Sequence, residues 1–203
     1  MNFGAEDIRV WLCNCAERMI SSAPEMNELD ARLGDGDLGA TLEKCGELIQ
    51  SALVEQKDQP ADHFKACASA CMRASGSSFG TLMGVACMTV AKELNGQKEL
   101  KFDKIAPLIG TITKALMARG GGKLGDKTAL DSLDAIRLAI QGTNQSENLK
   151  IVSCQAADSA VEAFLNQPNK IGRARMFAEK SIGLNDPGMV AVSRIIGSDT
   201  AHA

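Results

Sequence analysis

The sequence contains no tyrosine and few aromatic residues of any kind, with one tryptophan and six phenylalanines making up 3% of the chain. Stacking platforms for single-stranded nucleic acid are built from aromatics, so that class of ligand is poorly served. A basic excess is also missing: 22 Lys and Arg face 25 Asp and Glu, a formal net charge of −3. Nothing here neutralises a phosphodiester backbone, and nucleic acid is excluded as a partner. No apolar run approaches the roughly 18 residues of a membrane span. The opening "MNFGAEDIRVWLCNCAERM" turns acidic early and has no apolar leader segment, so the expectation is a cytoplasmic chain without a membrane partner. Only two histidines occur, His63 and His202, and no CxxC, so a zinc centre lacks ligands. The cysteines number seven, at 13, 15, 45, 67, 71, 87 and 154. An odd number on apolar helical positions reads as buried thiols in a reducing compartment.

What is present is a helical pattern. The 203 residues are 45% hydrophobic and 23% charged, enough to bury a core without disulfides or a structural metal. Ile8, Trp11, Leu12, Cys15 and Met19 follow the spacing of one helix face. Leu42, Cys45, Leu48, Ile49 and Leu53 repeat it, and Phe64, Cys67, Cys71 and Met72 mark a third helix. The apolar stretch 80–94 has the length of a buried helix. Further helices are predicted over 103–118, 128–141, 149–166 and 188–197. No period-2 strand is visible, and Asn95-Gly96 reads as a helix stop rather than a hairpin. Short polar links predict antiparallel neighbours. The expected fold is all-α, a single domain over 1–203 forming a barrel or bundle of about eight up-and-down helices.

Four loops carry more glycine and charge than a connection needs. They are "GDGDLG" (34–39), "ASGSSFG" (74–80), "RGGGKLGDKT" (119–128) and "GLNDPG" (183–188). In an up-and-down array, loops separated by an even number of helices meet at one pole. Each of these opens a helix, and helix N-termini attract anions such as phosphate.

The first loop sets Asp30, Asp35 and Asp37 within eight residues. Carboxylates without thiolate or imidazole suit Mg²⁺ or Ca²⁺. Position 12 counted from Asp35 is Gly46, and from Asp30 it is Thr41, so the bidentate glutamate of an EF-hand is missing. Mg²⁺, which keeps waters and shares its shell with phosphates, fits better; the alternative is that Asp37 caps the next helix and the others are solvated. In the second loop Ser75, Ser77 and Ser78 offer hydroxyls to a ligand, or a serine cap. The third has Gly120 and Gly125 at Walker A spacing, but Asp126 stands where lysine belongs, and a helical segment precedes it. A P-loop is therefore not supported, although flexible backbone N–H groups flanked by Arg119, Lys123 and Lys127 suit a phosphate or ribose. In the fourth, Asp186 and Pro187 read as cap and first helical residue. Arg173 and Arg175 upstream suit phosphate or surface ion pairs.

Together, "LDARLGDGDLG", "ASGSSFG", "GGKLGDKTALD" and "SIGLNDPG", in this order and at these separations, resemble the nucleotide-binding L subunit of dihydroxyacetone kinases and the matching C-terminal domain of single-chain glycerone kinases. The resemblance covers nearly the whole chain. It implies an all-α barrel holding ADP or ATP at one end through two Mg²⁺ ions. Asp30, Asp35 and Asp37 would be the metal ligands. Leu38, Gly39, Ala40 and Thr41 would lie beside the phosphates. Ala74, Ser75, Gly120, Ala129, Arg173, Asp186, Pro187 and Gly188 would match the remaining nucleotide-contacting positions. No catalytic residue is expected on this chain, because a K-type partner subunit holds the ketone through its own histidine. The phosphoryl donor is ATP, or a bound ADP recharged by a phosphotransferase-system protein, and a homodimer is left open. The chain departs from the family pattern at Leu38, where histidine or cysteine is usual, at the small Ala129, and at Ser77-Ser78, where Pro-Leu is common. A four-carbon ketose such as erythrulose is an alternative acceptor, and a non-catalytic regulatory paralogue an alternative role. A plain helical scaffold would leave the order of the four motifs without a reason.

Overall fold

The computed structural model describes residues 2–74, 77–143 and 148–200, with Arg173 and Phe177 by backbone alone. Helix α1 (Ala5–Ser21) starts where the Asp7 carboxylate accepts the Gly4 N–H at 2.9 Å, and it buries Ile8, Leu12, Cys15, Ala16 and Met19. Trp11 is not on that face. It stands 46% exposed at the margin of the stripe.

At Ser22 the chain turns and starts a second helix, α2 (Ala23–Leu33), with Pro24 in its first turn. The Ser22 hydroxyl donates to the Arg18 carbonyl at 2.7 Å, so the bend keeps that carbonyl satisfied. Helix α3 (Leu38–Ala52) runs back antiparallel along both. Gly39 lies against the Ala23 carbonyl, Gly46 against that of Ala16, and Arg9 reaches the Leu53 carbonyl.

The remainder is sequential packing. Helices α4 (Pro60–Ala74), α5 (Ser78–Glu93), α6 (Ile105–Gly120), α7 (Ala129–Gln141) and α8 (Leu149–Phe164) each pack on the one before, and α9 (Pro187–Ile196) rests on α8, α7, α1 and α2. The expected up-and-down all-α array is what forms, with nine helices among the described residues rather than about eight. The extra helix is α2, over which the sequence pattern predicted none.

Two departures are local. Asn2–Gly4 (β1) and Glu99–Lys101 (β2) pair as a small antiparallel ribbon that the pattern did not predict. Three residues are too few to show a period of two. Gly96, at φ 76°, ends the turn after α5, in line with Asn95-Gly96 as a helix stop. The main core joins α1 to α5 with the start of α9, and Met26, Leu42, Cys45, Met189 and Val190 are fully buried in it. A smaller cluster of Ala106, Ile136, Ile140, Ala157 and Val192 holds α6 to α9 together. Among the described residues no helix is long and apolar enough to cross a membrane.

Candidate functional site

All four glycine-rich loops open helices, as the sequence predicts: α3, α5, α7 and α9. Their N-termini are closed in two different ways. Ser77 Oγ accepts the Gly80 N–H at 3.2 Å, Thr128 and Asp131 form a reciprocal capping box, and Asp186 Oδ1 accepts the Met189 N–H at 2.9 Å. These are ordinary caps.

Helix α3 is the exception. Asp37 occupies the cap position, but its side chain makes no capping hydrogen bond. The free N–H groups are taken by α2 instead. Asp30 Oδ2 accepts from the N–H of Asp37 at 3.0 Å and of Leu38 at 3.3 Å, and Asn27 Oδ1 accepts from Ala40 at 3.1 Å. A carboxylate oxygen from each of Asp30, Asp35 and Asp37 lies within 4.8 Å of the other two. Asp30 is half-buried, while Asp35 and Asp37 are exposed. The plain capping alternative for Asp37 thus fails, and three carboxylates crowd the positive end of a helix. Two backbone positions make this possible. Gly36 turns the loop at φ 75°. Gly39 lets α3 meet α2 so closely that a Cβ there would overlap the Ala23 carbonyl and the Asn27 amide.

Leu38 divides its roles by atom. Its N–H points at Asp30, while its side chain, 7% exposed, belongs to the main core. The apolar residue at this position therefore faces the core. Gly39 is buried behind it, Thr41 is half-buried and Ala40 is exposed.

The other loops meet one another. A Cβ on Gly188 would sit 3.7 Å from the Ala129 N–H nitrogen and 3.7 Å from the Phe79 ring. Residues of the second and fourth loops and of the helix start that follows the third thus converge at one spot, with Pro187 and Asp186 buried beside it. Helix α2, which carries Asn27 and Asp30, packs against the 3₁₀ turn Arg173–Phe177 and against α9, which links the acidic cluster to this group. Gly120 ends α6 on the surface near Leu82. Ala74 is buried in the core at the end of α4. Ser75 and the side chain of Arg173 lie outside the described residues.

The third loop needs a correction. Lys127 does not offer its charge to a ligand: it is fully buried, and its ammonium is taken up by main-chain carbonyls. The loop is also held rather than flexible. Asp131 accepts the Gly125 N–H at 2.6 Å and the Thr128 N–H at 2.8 Å, and Asp126 accepts that of Lys123 at 2.9 Å. Arg119 and Lys123 remain exposed.

Asp186, the cap of α9, is the one carboxyl here whose titration departs clearly upward. Burial pushes it up to about 6, against the opposing pull of the Met189 N–H, Asn169 and Lys127. The sequence pattern named Lys127 in another role and passed over Asn27, Asp131 and Asn169. Asp131 had a signal, its capping-box spacing from Thr128, and so did Asn27, its i, i+3 spacing from Asp30 on a helix that otherwise buries Met26, Leu29 and Leu33.

Helix-borne loops ending in a triple-carboxylate cluster define a class of domain, and the comparisons identify it. Residues 32–198 match the DAK2 domain family, and the chain belongs to that family. It is 29% identical to L-erythrulose kinase of Pectobacterium atrosepticum over 90% of this chain, but spans only 33% of that protein. It is likewise 29% identical to the PTS-dependent dihydroxyacetone kinase, ADP-binding subunit DhaL, of Lactococcus lactis, covering 88% of this chain and 87% of that one. The dihydroxyacetone kinase of C. freundii, solved in complex with AMP-PNP and Mg²⁺, shares the fold at a TM-score of 0.73 and 21% identity, over 93% of this chain and 32% of that one.

Proposed function

We propose that this chain is the ADP- or ATP-binding subunit of a short-ketose kinase, and that it works in the cytoplasm as one L-type unit. The observation that carries this is the acidic cluster. Three carboxylates converge at a helix N-terminus, and the one placed to cap that helix makes no cap bond. That donor set fits a hard divalent cation and offers zinc no nitrogen or sulfur. Asp30, Asp35 and Asp37 would hold Mg²⁺, two ions by the family pattern. When bound, those ions neutralise nucleotide phosphates and the charge on a transferred phosphoryl group.

The chain's own residues position. Asp30 fixes the start of α3 through two N–H groups, which sets where Gly39, Ala40 and Thr41 meet the phosphates. Ala129, Pro187 and Gly188 form a second wall, and Ala74, Ser75, Gly120 and Arg173 complete the contacts that the family pattern predicts. Ala129 and Gly188 are small, and their backbones adjoin. No acid, base or nucleophile from this chain is assigned.

The chain spans about a third of the single-chain kinases it matches, and the family pattern puts the acceptor on a separate unit. A K-type subunit is the proposed partner. Leu124 on the third loop, and Met176 and Ile182 upstream of the fourth, are exposed apolar side chains that such a subunit would cover on docking. Relatives named for dihydroxyacetone and for erythrulose both match, which supports a three- or four-carbon ketose. The donor is exchangeable ATP or a phosphotransferase-system protein acting on bound ADP. The test is reconstitution. Mixed with K-type subunits and either ketose, the chain should turn over with one donor and be inactive alone. Met176→Glu should cut turnover severalfold and leave nucleotide affinity intact. Tight nucleotide binding without turnover for every partner and ketose would favour a regulatory role.

A further inference from the structure

Lys127 is the largest fully buried side chain among the described residues, and the site as described gives it no task. Its ammonium donates to four main-chain carbonyls: Leu165 at 3.1 Å, Gln167 at 2.8 Å, Ser181 at 2.8 Å and Leu184 at 2.7 Å. Three N–H bonds serve four acceptors, so one is shared. The carbonyls fall in two pairs. Leu165 and Gln167 leave the end of α8, and Ser181 and Leu184 lead into α9. One cation therefore gathers both ends of the 165–186 strap and pins them at the N-terminus of α7.

The main chain of the same residue makes a second tie. Asn169 Nδ2 donates to the Lys127 carbonyl and to Asp186 Oδ2, each at 2.8 Å. Asp186 in turn caps α9 through Met189. Lys127 adopts φ 61°, the one non-glycine residue with positive φ among those described. A side-chain-bearing residue persists in that region only where its surroundings over-determine it. Here the capping box of Thr128 and Asp131 on one side and the four carbonyls on the other do so.

We propose that Lys127 is a positioning residue for nucleotide binding. Without touching the ligand, it fixes the strap that carries Arg173 and delivers Asp186–Gly188 to the Ala129 wall. This rests on the nucleotide-binding reading above. An apolar plug of equal length cannot replace it, because it would strip a donor from four carbonyls at once. Burial draws the ammonium's pKa down while the charge of Asp186 holds it up, so the two groups support each other's charged form.

The test is calorimetric titration of ADP with Mg²⁺ into the full chain, reading Kd and stoichiometry separately, together with amide exchange over 165–186. Lys127→Met keeps length and backbone strain but loses the charge. It should raise the ADP Kd at least tenfold at unchanged stoichiometry and speed exchange in the strap. A lysine that only stabilises the fold would lower stoichiometry and leave Kd alone, and that result overturns the proposal. Asn169→Ala, which cuts the ties to the Lys127 carbonyl and to Asp186 but leaves the ammonium and its four carbonyls in place, should raise Kd about threefold, and it decides the matter if Lys127→Met does not fold. Wild-type Kd in both variants refutes the positioning role alone. Absence of Mg-ADP binding in the wild-type chain refutes the nucleotide reading, and this proposal with it.

Discussion

Gly39 shows how one missing atom sets the site. Its backbone touches α2 where a Cβ would overlap the Ala23 carbonyl and approach Asn27 Oδ1 to 2.6 Å. Backbone cannot yield as a flexible side chain can, so Gly39→Ala must push α3 off α2. We expect a loss of about 1–3 kcal/mol, the usual cost of overpacking, with weaker metal binding because Asn27 and Asp30 lose their N–H partners. Chemical denaturation and a Mg²⁺ titration of the variant check both. At the same scale Leu38 shows what a sequence hides. One residue gives its N–H to Asp30 and its side chain to the core, and only the backbone half belongs to the site. Lys127 hides more. A lysine beside glycines and aspartates reads as a surface charge, and its burial depends on carbonyls 38 to 57 positions further along. No local pattern carries that information.

At the scale of elements, helices were legible because their apolar stripes repeat over several turns, as Leu42, Cys45 and Ile49 do in α3. The break between α1 and α2 was readable in principle, since Ser22-Ala23-Pro24 is a helix-start signature. The eleven residues of α2 carry only a short stripe, Met26, Leu29 and Leu33, that runs straight into the acidic turn. The third loop was misread as flexible because glycines were counted without their partners. Asp131 holds two of its N–H groups. Asp131→Ala should cost about 2 kcal/mol, the worth of a cap plus an unsatisfied buried donor. For a chain of this length that is a fall in Tm of about 4–8 °C, and calorimetry of the apo protein measures it. The four-loop order was legible as a motif set; the α2-to-α3 clamp that builds the acidic pole was not, because it joins residues on two helices through Asn27 and Asp30.

Across the whole molecule, two buried groups give stability opposite pH dependences. His63 is 1% exposed, and burial lowers its pKa below 6.5, with the Lys57 backbone and Glu6 opposing and Arg9 and Lys57 charge adding to the effect. The unfolded chain then binds the proton more readily. Its contribution is complete above pH 6.5 and is lost as pH falls through 6.5 toward the folded value. Asp186 is raised to about 6 by burial, so its contribution is complete below the unfolded value near 3.8 and is lost as pH rises through about 6. His63→Leu should therefore shrink the loss of Tm between pH 7.5 and 5.5. An unchanged profile would show that His63 does not govern acid sensitivity.

The account stands on cation-dependent nucleotide binding at the Asp30, Asp35 and Asp37 cluster, and titration calorimetry of ADP tests it directly. With Mg²⁺ present the wild-type chain should give a saturable one-site isotherm that EDTA abolishes and that Asp35→Ala loses, with a fold unchanged by circular dichroism. An isotherm in Asp35→Ala equal to the wild type, or no heat from the wild type with Mg²⁺ present, would contradict it.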